Sequence, residues 1–443
     1  MAVISSDTLQ LAVVQETVPG QIPATPAFNL WRTTGESLVF SPQTSENTEI
    51  GGGGRSAQPA NVTGMQVNGS INFTLSKFPA LEQAIAGVLA SQWGACPLTG
   101  AVGGGIDSAN DITVGQALKT FTIEKRFPSP SAVVGAAPTV AAGATGGTTV
   151  DYTFAGVAAV GTGAIEVSFQ VAGSLPVDVN ASIAVGDDAD AAAASLAAAI
   201  TAASIPGITA AAVADTVTVT SAGGNFVAAS GASGNDQYLY QRFSGVTYSA
   251  LSLSVSPNAD VTGSVTLVGG VPMLSSLPIP GATYVGAGTS PVFTAPDVME
   301  LSVGTMGLST HCWTSLNINV DSANRGIPCI GSSGDREVVL GTLTAEVSGD
   351  VYFSDQTVLE ALLANETLGD TVVTLSNGTD LYRFDFFDMK PTAGQLAAGG
   401  QGQDLTIPIS LSPTPTKVCD DGAGNDWTAG FIVSKEDTAP VLP

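Results

Sequence analysis

Two stretches far apart in the chain alternate apolar and polar positions in the same way. Val67-Asn68-Gly69-Ser70-Ile71-Asn72-Phe73-Thr74 is followed by Leu81-Glu82-Gln83-Ala84-Ile85-Ala86. Val347-Ser348-Gly349-Asp350-Val351-Tyr352-Phe353-Ser354 is followed by Leu359-Glu360-Ala361-Leu362-Leu363-Ala364. Period-two alternation predicts a strand with one covered face, and the four-residue spacing after it predicts a helix. Upstream, Ser45-Glu46-Asn47 and Ile50 before a glycine run are echoed by Ser322-Ala323-Asn324 and Ile327 before Gly331-Ser332-Ser333-Gly334. One such strand would say only that it is half-buried. Agreement in order and spacing over several elements predicts a duplicated domain.

The first of these strands, over 66–75, leads into a helix expected over about 78–93, with Pro79 in its first turn, where no amide hydrogen is needed. Leu81, Ile85, Val88 and Leu89 form one stripe for packing on a sheet. In the second copy Asp355 stands near the helix start, with Leu359, Leu362 and Leu363 behind it. The stretch from Leu118 to Phe127 alternates as a strand, and its natural neighbour, Tyr240 to Val246, comes only after a segment of different composition. From Pro128 to Leu239 there is neither Lys nor Arg, while Ala and Gly abound. Residues 149–154, 164–171 and 209–220 read as strands, and Asp187, Asp188 and Asp190 open an Ala-rich helix whose free N–H groups favour acidic neighbours. The segment is thus a small α+β domain set in a hairpin tip, where insertion disturbs least.

Residues 250–255 and 260–267 form an apparent hairpin, 271–298 reads as a Pro- and Gly-rich linker, and 405–411 is a last short strand. The expected plan is a mainly β fold of two tandem β-sandwich domains, each flanked by a helix, with the α+β domain inserted in the first. Its parts are an N-terminal arm at 1–35, a discontinuous first domain at 36–127 and 240–270, the insert at 128–239, the linker at 271–298 and a second domain at 299–443.

Charge narrows the function. Acidic groups number 38 against 13 basic ones, a net charge of −25, which repels phosphate and excludes a nucleic-acid-gripping role. It leaves open a surface along which DNA slides without sticking. Cys96, Cys312, Cys329 and Cys419 are scattered without metal-binding spacing, and His311 is the single histidine, which argues against a zinc site and a disulfide scaffold. The first seven residues lack the basic start of a signal peptide and no run is apolar enough to span a bilayer, so cytosolic synthesis is expected. The sequon Asn72-Phe73-Thr74 then carries no weight.

Candidate chemistry is sparse. Gly51–Gly54 before Arg55 lacks the Gly-Lys-Ser/Thr continuation of a phosphate loop and reads as a surface loop. His311 and Cys312 are adjacent, so on a strand they point to opposite faces and cannot act as base and nucleophile. Asp420-Asp421-Gly422-Ala423-Gly424-Asn425-Asp426 offers oxygens for Ca²⁺, but lacks the regular spacing and distal Glu of an EF-hand and reads as a solvated turn. No catalytic, cofactor-binding or metal residue is assigned.

Several stretches together resemble the major tail tube proteins of long-tailed (siphovirus-like) bacteriophages. They are Gln15-Glu16-Thr17-Val18-Pro19-Gly20, Arg32-Thr33-Thr34-Gly35-Glu36-Ser37-Leu38, the strand and helix from Gly69 to Trp93, Phe121 to Phe127, and Tyr240 to Leu267. The resemblance covers most of the chain outside the insert and implies subunits that form stacked rings around a DNA lumen, with an arm reaching neighbouring subunits. It implies as partners the chain itself, a tape-measure protein, tail-terminator or tail-tip proteins, and DNA passing without specific binding. It also implies a place in the virion tail after assembly in the host cytoplasm. Two tube domains per chain would make the ring a trimer that acts as a pseudo-hexamer, and the insert an outward decoration. A bacterial surface adhesin is the rival reading and calls for an export signal and tandem repeats. A sugar-processing enzyme calls for a paired set of carboxylates.

Overall fold

The computed structural model describes the chain except residues 1–8, 46–59, 95–109, 129–138, 156–162, 173–176, 184–186, 234–237, 276–277, 280–281, 305, 308–310, 330–333, 354–355, 365, 395–403, 421–425 and 437–443. It is mainly β. The first half contributes β1 (Gln10–Gln15), β2 (Ala27–Leu30), β3 (Val39–Ser45), β4 (Asn61–Thr74), α1 (Pro79–Val88), β5 (Phe121–Pro128), β6 (Tyr238–Val255), β7 (Thr262–Val268) and β8 (Val271–Ser275). Between β5 and β6 lies α2 (Ala189–Ala202) with the strands of the insert. The second half contributes β9 (Val298–Val303), β10 (Met306–Gly307), β11 (Trp313–Asp321), β12 (Thr344–Tyr352), α3 (Thr357–Ala364), β13 (Gly369–Ser376), β14 (Leu381–Gly394), β15 (Thr406–Ser412) and β16 (Phe431–Glu436).

Numbered this way, strand n of the first half has its counterpart at n + 8 in pairing as well as in order. β8-β6-β5-β1-β2 are hydrogen-bonded neighbours, and so are β16-β14-β13-β9-β10. β3-β4-β7-β6 are neighbours, and so are β11-β12-β15-β14. Irregularities recur too: the β6–β7 register slips between Tyr248 and Ala250, and the β14–β15 register between Pro391 and Ala393. The largest difference is what joins the fifth and sixth strands. In the second half it is a tight turn in which the Asn377 Oδ1 accepts the N–H of Thr379 and Asp380. In the first half α2 and the strands around it take that place.

The chain forms two compact units. One comprises Met1–Trp31, Phe121–Gly245 and Val271–Gly286, and the other Arg32–Thr120, Val246–Gly270 and Ala287–Pro443. The units follow sheets rather than halves of the chain, because β6 pairs with β11 and so fuses strands of both halves into one sheet of the second unit.

In the first unit, β1 lies between β2 and β5, and Thr283–Val285 adds a parallel edge to β2. Residues expected as an arm and a linker therefore supply sheet strands. A small core forms around Ala12, Val14 and Phe28, with Phe28 stacked on Tyr284 at 5.4 Å. The insert carries its own core of Tyr152, Phe154, Phe169, Leu196 and Phe226 between a three-stranded and a four-stranded sheet. Its helix is capped by Asp188, whose carboxylate accepts the Ala191 N–H at 2.9 Å, so the acidic run at the helix start serves as a cap.

In the second unit, α1 begins at Pro79 as expected but ends at Val88, short of Trp93. Ala90 turns the chain into the left-handed region (φ +47°), and the Trp93 indole N–H then reaches back to the Glu82 carbonyl at 3.1 Å. No glycine announces this stop.

Candidate functional surface

The largest surface of distinctive chemistry is a face of the long antiparallel sheet β3-β4-β7-β6-β11-β12-β15-β14 in the second unit. Strict alternation gives its strands two unlike faces. Ile71, Phe73, Val265, Leu253, Ile318, Val347, Ile409 and Leu411 are buried on one side. The opposite positions are Ser70, Asn72, Ser264, Ser252, Asn319, Asp321, Glu346, Ser348, Asp350 and Ser410, all partly or fully exposed. Neither Lys nor Arg occurs in β3, β4, β7, β11, β12, β15 or the stretch 246–255 of β6. Short polar side chains on this face bond to each other: Ser252 Oγ donates to Asn319 Oδ1 at 2.6 Å, and Ser315 Oγ to Asp350 Oδ2 at 2.9 Å. β11 and β12 carry acidic groups without a countercharge of their own, while β14 places Lys390 opposite Ser412 at the end of the face.

Both ends of this sheet are open among the described residues. β3 pairs on one side only, with β4, and its Val39 and Phe40 are exposed. The last residues of β14, Lys390 to Gly394, pair only with β15. Unpaired strand edges are templates for another strand. The internal joint shows how such edges can meet, since β6 and β11 pair antiparallel from Ala250↔Asp321 to Val255↔Leu316.

The first unit holds a buried polar cluster that sequence reading missed. Glu124 Oε2 accepts Arg242 Nε at 2.7 Å, and Glu124 Oε1 accepts the Tyr284 hydroxyl at 2.6 Å. Arg126 lies over the Tyr284 ring at 3.9 Å. Burial, then the Glu124 charge and hydrogen bond, push the Tyr284 hydroxyl above its ordinary range. Nothing in local spacing could pair Glu124 with Arg242, because the insert separates them. This cluster is enclosed and pinned, which suits holding β5, β6 and Thr283–Val285 together.

The residues singled out for chemistry are not brought together. His311 and Cys312 precede β11, the first partly buried and the second exposed, with the Cys312 carbonyl accepting the Tyr352 N–H at 3.0 Å. The Gly51–Gly54 run lies outside the described residues, as does 421–425 of the acidic turn. The strands flanking that turn, Lys417–Asp420 and Asp426–Ala429, pair with each other. Among the described residues no group of His, Cys, Asp and Glu could hold a metal ion, and no helix is long and apolar enough to cross a membrane.

Fold and surface thus define a mainly β protein whose distinctive chemistry is an acidic sheet face bounded by open edges. Residues 209–413, a little under half of the chain, match the model of the phage tail tube protein family. The match supports a structural tail tube protein, a component of the virion tail. No curated protein matches the chain.

Proposed function

We propose that this chain polymerises into stacked rings that form the hollow tail tube of a long-tailed phage, through which DNA is ejected. The observation that carries the reading is the β6–β11 joint. There the last strand of the first set of four pairs with the first strand of the second. β14 is the counterpart of β6, and β3 of β11, so pairing β14 of one copy with β3 of the next repeats that joint and leaves no open edge in a closed ring. Two such sets per chain favour three subunits per ring, a pseudo-sixfold arrangement.

In this reading the polar face lines the lumen, with Asp321, Glu346 and Asp350 facing the DNA. An acidic, lysine-poor wall repels phosphates and lets the duplex pass. The pairing correspondence extends the reading to β1–β5, which precede the matched stretch. The domains are a first tube domain carrying the insert as an outward decoration and a second tube domain from about residue 299 onward. A tape-measure protein and tail-terminator or tail-tip proteins would be its partners, with assembly in the host cytoplasm before incorporation into the virion.

Electron microscopy of the purified full chain tests this. Stacked rings of three subunits with pseudo-sixfold density are expected. True sixfold identity with one domain per chain would overturn the duplicated reading, and monodisperse globules at assembly concentrations would overturn the tube.

A further inference from the structure

The two equivalent helices differ in cover. Ile85 and Ala86 of α1 are 3% and 5% exposed, whereas their counterpart in α3, Leu363, is 87% exposed and Ala364 is also exposed. α1 meets β16 in the same unit: Glu82 pairs with Lys435 of β16, and the Lys435 ammonium sits 4.4 Å over the Trp93 ring. Phe431 and Val433, which share the Lys435 face of β16, are each 2% exposed. Glu360, the counterpart of Glu82, is exposed.

The counterpart of β16 is β8. The left-handed residues Gly245 and Asp388 (φ +73° and +45°) and the register slips after Tyr248 and Pro391 align β6 with β14. Gly245 then matches Asp388, Gln241 matches Phe384, and their partners Leu274 and Val433 match in turn. Val433 is buried, yet Leu274 is 68% exposed. α3 packs on β14 of its own half, yet Leu363 on the helix and Leu274 on the strand are both left exposed.

We propose that α3 of one copy covers β8 of a second copy of this chain, with Leu363 packing near Leu274 in the place where α1 meets β16 within the chain through Glu82 and Lys435. The contact is head-to-tail, so it propagates round a ring instead of closing a two-fold dimer. This inference rests on the ring reading and adds to it a second contact, made by side chains away from the strand edges.

Disulfide trapping decides it. In full-length chains whose four native cysteines are replaced by serine, Leu274→Cys with Leu363→Cys should give an oxidised ladder of covalently joined copies, and neither single variant should. Leu363→Asp, at a position exposed in the free subunit, should keep the circular dichroism of the folded chain and raise the concentration needed for assembly about tenfold. Rings that form without a ladder in the double variant overturn the α3–β8 contact and leave the tube reading standing. Covalent dimers from either single variant overturn it in favour of a symmetric contact. A wild-type chain that forms no rings overturns the tube reading and this inference with it.

Discussion

Gly245 and Asp388 occupy the same place in β6 and β14, both in the left-handed region, and each gives its N–H to a carboxylate. Gly245 donates to Glu16 Oε1 at 2.8 Å, and Asp388 to Asp370 Oδ1 at 2.9 Å. The same backbone irregularity thus has the same type of partner in each half. Glu16 does more than Asp370, because it also accepts the Thr122 hydroxyl and the Gly20 N–H, both at 2.7 Å, and is 6% exposed. Hydrogen bonds to a charged group contribute more than neutral ones, and a buried donor left unpaired is costly. Glu16→Ala should therefore cost about 3 kcal/mol and Asp370→Ala about half that, read as the shift in urea midpoint. Equal costs would show that the extra partners of Glu16 contribute nothing.

The glycine in each repeated strand has one physical cause. A Cβ on Gly69 would stand 2.4 Å from the Leu38 Cα, and a Cβ on Gly349 would stand 2.3 Å from the Ser315 carbonyl oxygen. Both obstacles are backbone, so the neighbouring strand would have to move. Gly69→Ala and Gly349→Ala should each destabilise by about 1–3 kcal/mol, whereas Gly286→Ala, with open space around it, should be close to neutral. Thermal unfolding of the three variants checks this.

Much of this fold was legible because the strands of the repeat alternate strongly and keep their order. The Phe121 to Phe127 and Tyr240 to Val246 strands, on either side of the charge-poor segment, are paired neighbours. The stretches 1–35 and 271–298 misled. Prolines there suggested an arm and a linker, yet Val271–Ser275 and Thr283–Val285 are strands too short to show a period. The polar sheet face was present in the sequence as every second residue. Its grouping required the pairing order, which no local pattern contains. The helix repeat was legible as well, but not the contrast between buried Ile85 and exposed Leu363, because cover depends on what lies opposite.

Tyr284 should make stability fall at alkaline pH. Its folded-state value is raised above the ordinary 10.0, first by burial and then by the Glu124 charge. The folded chain holds the proton where the unfolded chain releases it. The contribution is complete below the unfolded value and is lost as pH rises towards the folded one. Tyr284→Phe should lower stability at neutral pH by about 1–2 kcal/mol and flatten the decline in melting temperature between about pH 9 and pH 11. A variant with an unchanged alkaline slope would refute the assignment.

The charge of the polar face should govern how DNA passes. Asp321 and Glu346 are exposed, so Asp321→Lys, which gives up the bond from the Ala323 N–H to Asp321 Oδ1, and Glu346→Lys should leave the fold in place. In assembled tubes each would place a ring of cations against the duplex. Short duplexes should then be retained by the variant tubes and released by salt, with a slope that grows with the number of phosphate contacts, while wild-type tubes retain none. Equal retention by wild-type and variant tubes would place these residues away from the lumen.

The insert should be dispensable for polymerisation. It has a separate core built on Tyr152, Phe154, Phe169, Leu196 and Phe226, and it stands where the second half needs only the turn at Asn377 to Asp380. Replacing residues 131–235 with a short turn of that kind removes no strand of either repeated set. The shortened chain should fold and assemble at a concentration within about threefold of the full-length chain, since none of the proposed contacts lies in the insert. Sedimentation and microscopy read both properties. A shortened chain that folds with native circular dichroism but no longer polymerises would make the insert part of the ring contact rather than an outward decoration.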